Sequence, residues 1–529
     1  MINYMAVGLA CVLVGAAAAA QVEVTIDTAA GLRRISPYVY GANGHGGDEE
    51  ANVTVVRSGG NRLTGYNWET NYSSAGNGWR HSSDDYLLRG VAEDRWREPG
   101  IVVSGFHEWA ASLGAADVVT LQMAGYVAAD NRGTVTEEEA APSPRWHRVE
   151  FSKGAAFSLR PDTTDGVVYM DELVNLLVQK YGRAADGGVK MYSLDNEPTL
   201  WSGTHARIRP KPLTCDELIE RSIALSRAVK DVDPTAQIVG GAFYGWSAYE
   251  SLQAQPELTG WDKYSEQYDN WFINFYLDRM RRAEEEDGRR LLDVLDIHWY
   301  PEVRVDGVRI TLDRGVLSEA MTNARIQAPR SLWDETHREE SWIGQWRHPI
   351  RLLPRLQENI DRYYPGTRLA ICEFDYGGGG DVSGAIAHAD FLGICGRDGV
   401  YMTCHWGALR DYTLAGYKVF RNYDGNRSAF GDTSVRAETS DPVNSSVYAS
   451  LDDAGRLHII LINKNLEQSV AFNIGVTHGV ALTTAEAYVV DSSGPQVGRL
   501  APVTEITANR LTFTAAPLSV NHLVLRSEG

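Results

Sequence analysis

The chain has 529 residues, 43% hydrophobic and 22% charged, a globular composition with ample apolar material for a large core. That excludes a disordered, collagen-like or small disulfide-stapled protein, and at roughly 100–200 residues per domain it implies several domains. With 50 basic against 69 acidic residues the net charge is -19, which repels phosphate backbones and anionic lipid, so neither nucleic acid nor a membrane is an expected partner.

The longest apolar run is residues 1–20. Its core, Met5 to Val14, leads into Ala18-Ala19-Ala20, an A-x-A cleavage pattern before Gln21. A cleaved signal and a secreted protein are expected. Of five cysteines, Cys11 would leave with that signal. Cys215, Cys372, Cys395 and Cys404 show no C-x-x-C spacing and read as buried thiols. Within 21–35, Val22–Ile26 alternates apolar and polar residues with no helix after it, and is expected to join a sheet built by the far end of the chain.

Over residues 36–425, short β-branched runs alternate with amphipathic helical runs, the pattern of a parallel sheet with crossover helices. Strands are expected near Pro37–Tyr40, Val53–Arg57, Val118–Gln122 and Val189–Leu194, then near Gln237–Gly241, Val294–His298, Arg368–Glu373 and Val400–Trp406. In Asp171–Tyr181, Leu173, Val174, Leu177, Val178 and Tyr181 form one apolar stripe, and Gly182 marks the stop. Thr214-Cys215-Asp216-Glu217 is a capping box that opens the following helix. The alternation predicts an α/β fold, a (β/α)8 TIM-like barrel over 36–425. From 426 to 529 only short alternating runs remain, among them Leu457–Asn463, Ser469–Ile474 and Ala485–Val490. They predict a β-sandwich that also takes the N-terminal strand.

Such a barrel carries its chemistry at the C-terminal ends of its strands. The fourth expected strand ends Leu194-Asp195-Asn196-Glu197-Pro198; the seventh ends Ile371-Cys372-Glu373-Phe374-Asp375-Tyr376, followed by Gly377 to Gly380. Glu197 and Glu373 therefore point into one mouth, and neither has a Lys or Arg beside it in sequence. Opposed carboxylates are the equipment of glycoside hydrolysis: one protonates the leaving oxygen and the other attacks the anomeric carbon. Arg57, His298, Tyr300 and Trp406 end other strands; a guanidinium and a phenol there would keep a carboxylate ionised and aimed. Tyr66, Trp68, Tyr126, Trp201, Trp246, Trp342 and Trp346 fall on loops above that face, either as platforms for sugar rings or as packing residues. Trp342 and Trp346 are spaced to share a face if Ser341–Trp346 is helical. Alternation is expected to turn Cys372 away from Glu373.

Four stretches resemble glycoside hydrolase family 44: Ser58-Gly59-Gly60-Asn61-Arg62-Leu63-Thr64-Gly65-Tyr66-Asn67-Trp68-Glu69, Tyr192 to Pro198, Ser341-Trp342-Ile343-Gly344-Gln345-Trp346, and Glu373 to Gly379. The resemblance runs from about residue 22 to the C-terminus. It implies a retaining endo-β-1,4-glucanase, often active on xyloglucan, with Glu197 as acid/base, Glu373 as nucleophile and Asn196 on the sugar 2-hydroxyl. Asn67, Trp68, Trp201 and Tyr376 are expected to bind substrate alongside Arg57, His298, Tyr300, Trp342, Trp346 and Trp406. The expected partner is a β-glucan or xyloglucan polysaccharide. No cofactor is required, and the structural calcium the family can bind has no ligands assignable from the sequence. Two other readings stay open: a non-catalytic glucan-binding protein on a degenerate barrel, and another retaining glycosidase such as a xylanase.

Overall fold

The computed structural model describes residues 19–312 and 318–527. The expected signal at 1–20 lies, but for its last two residues, outside them. Eight parallel strands close into a barrel in chain order: Gly41–Ala42, Val55–Ser58, Ala116–Leu121, Met191–Leu194, Gln237–Phe243, Val294–Trp299, Arg368–Phe374 and Met402–His405. Inward-facing side chains of these strands, including Val55, Val118, Met191, Val239, Val294, Ala370, Cys372, Met402 and Cys404, fill the lower interior. The barrel is thus packed rather than hollow, and only its upper end is polar.

The first strand differs from expectation. Pro37–Val39 is a 3₁₀ turn, capped by Ser36, whose Oγ accepts from Tyr38 N at 3.3 Å. Proline pre-sets the turn and has no N–H to give a ladder. The strand proper is Gly41–Ala42, without β-branched residues to announce it. Gly41 is required there: a Cβ would lie 2.3 Å from the Thr403 carbonyl and 2.4 Å from Val55 Cγ1.

The helices follow their sequence signals. Met170–Tyr181 buries Leu173, Val174 and Leu177, and Cys215–Val232 opens with Thr214 Oγ accepting from Glu217 N at 3.2 Å.

The C-terminal strands form the expected sandwich, and the N-terminal strand Ala20–Asp27 completes it. That strand pairs parallel with Val470–Thr477 and antiparallel with the second half of Thr433–Thr439. Its alternation buries Val22, Val24 and Ile26 against Leu461, Phe472 and Phe513. The sandwich docks on the helix Val382–Asp398, which links the last two barrel strands. Gly393 admits the Tyr448 ring, for a Cβ would lie 2.3 Å from it. Tyr448 OH and Lys464 Nζ both donate to the buried Asp390 carboxylate, at 2.6 and 2.7 Å. The four cysteines within the described residues are free and buried.

Candidate active site

The fourth barrel strand ends in a strained turn. Asp195 and Glu197 both take left-handed backbone conformations, φ 62° and 42°, which non-glycine residues rarely adopt. The Asp195 carboxylate holds the turn by accepting from Thr64 Oγ1 at 2.6 Å, Asn196 N at 2.7 Å, Met123 N at 2.5 Å and Ala124 N at 3.2 Å. Burial nonetheless pushes its carboxyl up to about 6. Trp201 Nε1 donates to the Asn196 carbonyl at 3.0 Å and closes the far side of the turn. The result is a Glu197 side chain aimed across the mouth.

Glu373 reaches the same place by a bulge. Ile371 pairs with Ile297 but Glu373 pairs with His298, so Cys372 is an extra residue in its strand. Cys372 belongs to the interior layer and Glu373 also turns inward, onto Arg57, His298 and Tyr300. Simple alternation, which would turn Cys372 away from Glu373, fails at this point because the ladder slips by one residue. Asp296 stabilises the slip: its Oδ1 accepts from Cys372 N at 3.0 Å.

The polar layer ties the two glutamates into one network. Arg57, wholly buried, donates through Nη1 to Glu373 Oε1 at 2.8 Å and through Nη2 to Asn196 Oδ1 at 2.7 Å. Tyr300 OH donates to Glu373 Oε2 at 3.0 Å. His298 Nδ1 lies 2.9 Å from Glu197 Oε1 and 3.5 Å from Glu373 Oε2. One carboxylate oxygen of each glutamate and a His298 nitrogen all lie within 4.8 Å of one another. Burial pushes the Glu197 carboxyl up to about 7, against the opposing pull of Arg57. Burial lowers His298 below the usual imidazole value and raises Tyr300 well above the usual phenol value. The pair is therefore asymmetric: Glu197 is disposed to hold a proton near neutrality, while Glu373 faces a guanidinium and a phenol.

The expected substrate-binding residues divide. Trp342 and Trp346 are 44% and 75% exposed, on a short helix capped by Ser341 Oγ accepting from Gly344 N at 3.2 Å. Trp406 is half-buried at the mouth, edge-on to His45 with centroids 4.6 Å apart and close over Gly60. Arg57, Asn196, His298 and Tyr300 join the carboxylate network. Asn67, Trp68, Trp201 and Tyr376 are fully buried, and the expectation that they meet a sugar is corrected. Trp68 Nε1 donates to the Tyr169 carbonyl, and Asn67 Nδ2 to the Ala128 carbonyl, so both organise loops from within. Tyr66 and Trp246 are buried as well. An aromatic on a loop has no periodicity to reveal which way it faces.

Asn43, Asn61 and Asp296 belong to the site and were not singled out in the sequence. Asn43 Oδ1 accepts from Arg57 at 3.2 Å while its Nδ2 donates to the Cys372, Cys404 and His405 carbonyls. Asn61 Oδ1 accepts from Asn196 Nδ2 at 3.2 Å. Only the Ser58–Glu69 motif signalled Asn61; Asn43 and Asp296 carry no local pattern.

Among known proteins, a family model described as glycoside hydrolase family 44 matches residues 72–303. Endoglucanase A of Paenibacillus lautus is 49% identical over 520 residues, 97% of this chain and 73% of that protein. A family 44 endoglucanase of Clostridium thermocellum superposes with a TM-score of 0.93 at 50% identity, covering 96% of this chain and all of its own. A family 44 xyloglucanase of Paenibacillus polymyxa, solved with xyloglucan, superposes with a TM-score of 0.92 at 46% identity and the same coverage.

Proposed function

Since the chain belongs to glycoside hydrolase family 44, we propose that it is a secreted enzyme that cleaves β-1,4-glucan or xyloglucan internally and with retention, Glu197 serving as acid/base and Glu373 as nucleophile. That it is a glycoside hydrolase acting on glucan follows from the family and its endoglucanase and xyloglucanase relatives. One observation carries the finer reading. His298 Nδ1 touches an oxygen of both carboxylates, at 2.9 and 3.5 Å, and the nearest oxygens of the pair are no more than 4.8 Å apart, which supports the close spacing of about 5–5.5 Å between the carboxyl groups of a retaining enzyme.

In the first step the protonated Glu197 gives its proton to the departing oxygen while Glu373 attacks the anomeric carbon from the opposite face. Arg57 and Tyr300 hold the attacking carboxylate by its two oxygens. Asn196 uses one amide hydrogen on Asn61, leaving the other for the sugar 2-hydroxyl. In the second step Glu197, now ionised, takes a proton from the water that displaces Glu373, and the β configuration returns. The exposed Trp342 and Trp346 would stack on successive glucosyl units, as an internally cleaving enzyme needs. Secretion rests on the apolar run at 1–20. For the structural calcium the family can bind, Glu69 offers a buried oxygen donor of the kind a hard cation takes, with Asp165 the strongest charge acting on it. The buried Glu69 Oε2 lacks a hydrogen-bond partner, and burial with the charges of Asp165 and Glu172 pushes that carboxyl up to about 8.

Azide separates the two roles. Glu197→Ala should still be glycosylated by an aryl cellobioside with a good leaving group, and azide should then yield the β-glycosyl azide. Glu373→Ala with azide should yield the α-azide. Opposite anomers would reverse the roles, and near-normal activity of Glu373→Ala without azide would sink the covalent mechanism.

A further inference from the structure

Beside the catalytic pair, and separate from it, three potential metal ligands converge. Asp375 follows the seventh barrel strand, His388 lies in the helix Val382–Asp398, and His405 ends the eighth strand. We propose that Asp375, His388 and His405 form a binding site for a first-row divalent transition metal of the zinc type.

The imidazole protons argue first. His388 Nδ1 lies 2.7 Å from the Gly384 carbonyl and His405 Nδ1 lies 3.2 Å from the Gly407 carbonyl. A carbonyl only accepts, so each Nδ1 carries the proton and each neutral ring presents a lone pair at Nε2. Both Nε2 atoms are buried without a hydrogen-bond partner, and both face Asp375 Oδ1, at 3.3 and 3.5 Å. Two lone pairs thus converge on a carboxylate oxygen that also accepts from Gly377 N at 2.8 Å, a crowding relieved by a metal ion or by a proton on one of the rings, and the outer-shell geometry and the ligand spacing favour the metal. A ligating histidine that donates its other N–H to a carbonyl is the usual outer-shell arrangement of a metal site.

The distances argue second. Zinc bonds of about 2.0–2.2 Å at a tetrahedral angle put ligand atoms about 3.3–3.6 Å apart. The two contacts to Asp375 Oδ1 match that edge, and the three ligand atoms all lie within 4.8 Å of one another. Two imidazoles with one carboxylate suit zinc and its neighbours, whereas calcium and magnesium take oxygen donors. Such an ion would join the loop after Glu373 to the next helix and strand. It would act by holding the wall that carries the nucleophile.

Cobalt tests the site without reference to activity. The full chain, stripped with dipicolinate, should bind one equivalent of Co²⁺ with the visible d–d bands of a tetrahedral ion, and Zn²⁺ should displace it and raise Tm. Asp375→Asn, nearly isosteric, and His405→Gln should abolish the bands and weaken binding beyond the roughly 100-fold typical of outer-shell changes. The bands should survive in Glu197→Gln, which alters the other carboxylate–histidine cluster. Failure of the stripped wild type to bind an equivalent of cobalt overturns the proposal, whether or not the variants fold. So does loss of the bands in Glu197→Gln with retention in Asp375→Asn.

Discussion

The Arg57 guanidinium, with no exposure to solvent, bridges Glu373 Oε1 and Asn196 Oδ1 and so couples the ends of the fourth and seventh barrel strands. A planar fork with two donors in fixed geometry is what that bridge needs. Arg57→Lys should keep the charge but lose one of the two contacts, lowering kcat by about 10–100-fold with KM little changed. Arg57→Met leaves a buried carboxylate uncompensated and should also cost about 3–5 kcal/mol of stability. Steady-state kinetics with chemical denaturation checks both; unchanged kcat in Arg57→Met would remove Arg57 from the mechanism.

The proton on Glu197 sets the alkaline side of the pH profile. Its carboxyl is pushed up to about 7 by burial, so kcat/KM should fall as pH rises through about 7 and the acid is lost. The same shift makes a stability statement. The folded state binds this proton more tightly than the unfolded chain does, so the contribution is present below about 4.5 and is lost as pH rises through about 7. Glu197→Gln cannot ionise, so its Tm should exceed the wild-type value at pH 8 and approach it near pH 5. An equal Tm difference at both pH values would show that Glu197 does not titrate in this range.

Exposed and buried tryptophans should respond oppositely to removal. Trp346→Ala and Trp342→Ala should raise KM for polysaccharide while changing stability by no more than about 0.5 kcal/mol, as exposed positions do. Trp201→Ala removes a buried indole that donates to the Asn196 carbonyl and should cost about 3–5 kcal/mol. A large stability loss in Trp346→Ala would make it a packing residue.

The Lys464–Asp390 pair fastens the sandwich to the barrel, both side chains only 1% exposed. Lys464→Met should destabilise the protein by about 3–5 kcal/mol, because Asp390 stays buried without its cation. Lys464→Met with Asp390→Leu should recover much of that loss, since an apolar pair needs no compensation. Thermal unfolding of the two variants decides it. Equal losses in both would show that Asp390 contributes chiefly through Tyr448.

Much of this architecture is written locally. Strand alternation from Val118 to Glu373, the stripe in Met170–Tyr181 and the cap at Thr214 are short-range patterns, and they announce a barrel whose fourth and seventh strands end in Glu197 and Glu373. The period-two pattern of Val22, Val24 and Ile26 likewise marks a strand that must bury one face, and the sandwich supplies the surface. What no local pattern contains is direction and convergence. Trp68 and Trp201 read the same as Trp346 in sequence, but two are buried and one stands in solvent, because a turn or a helix of four or five residues is too short to show a period that fixes facing. The bulge at Cys372 depends on register with His298, a relation between two strands. Asp375, His388 and His405 lie on a loop, a helix and a strand, and only closure of the barrel sets their lone pairs facing one another.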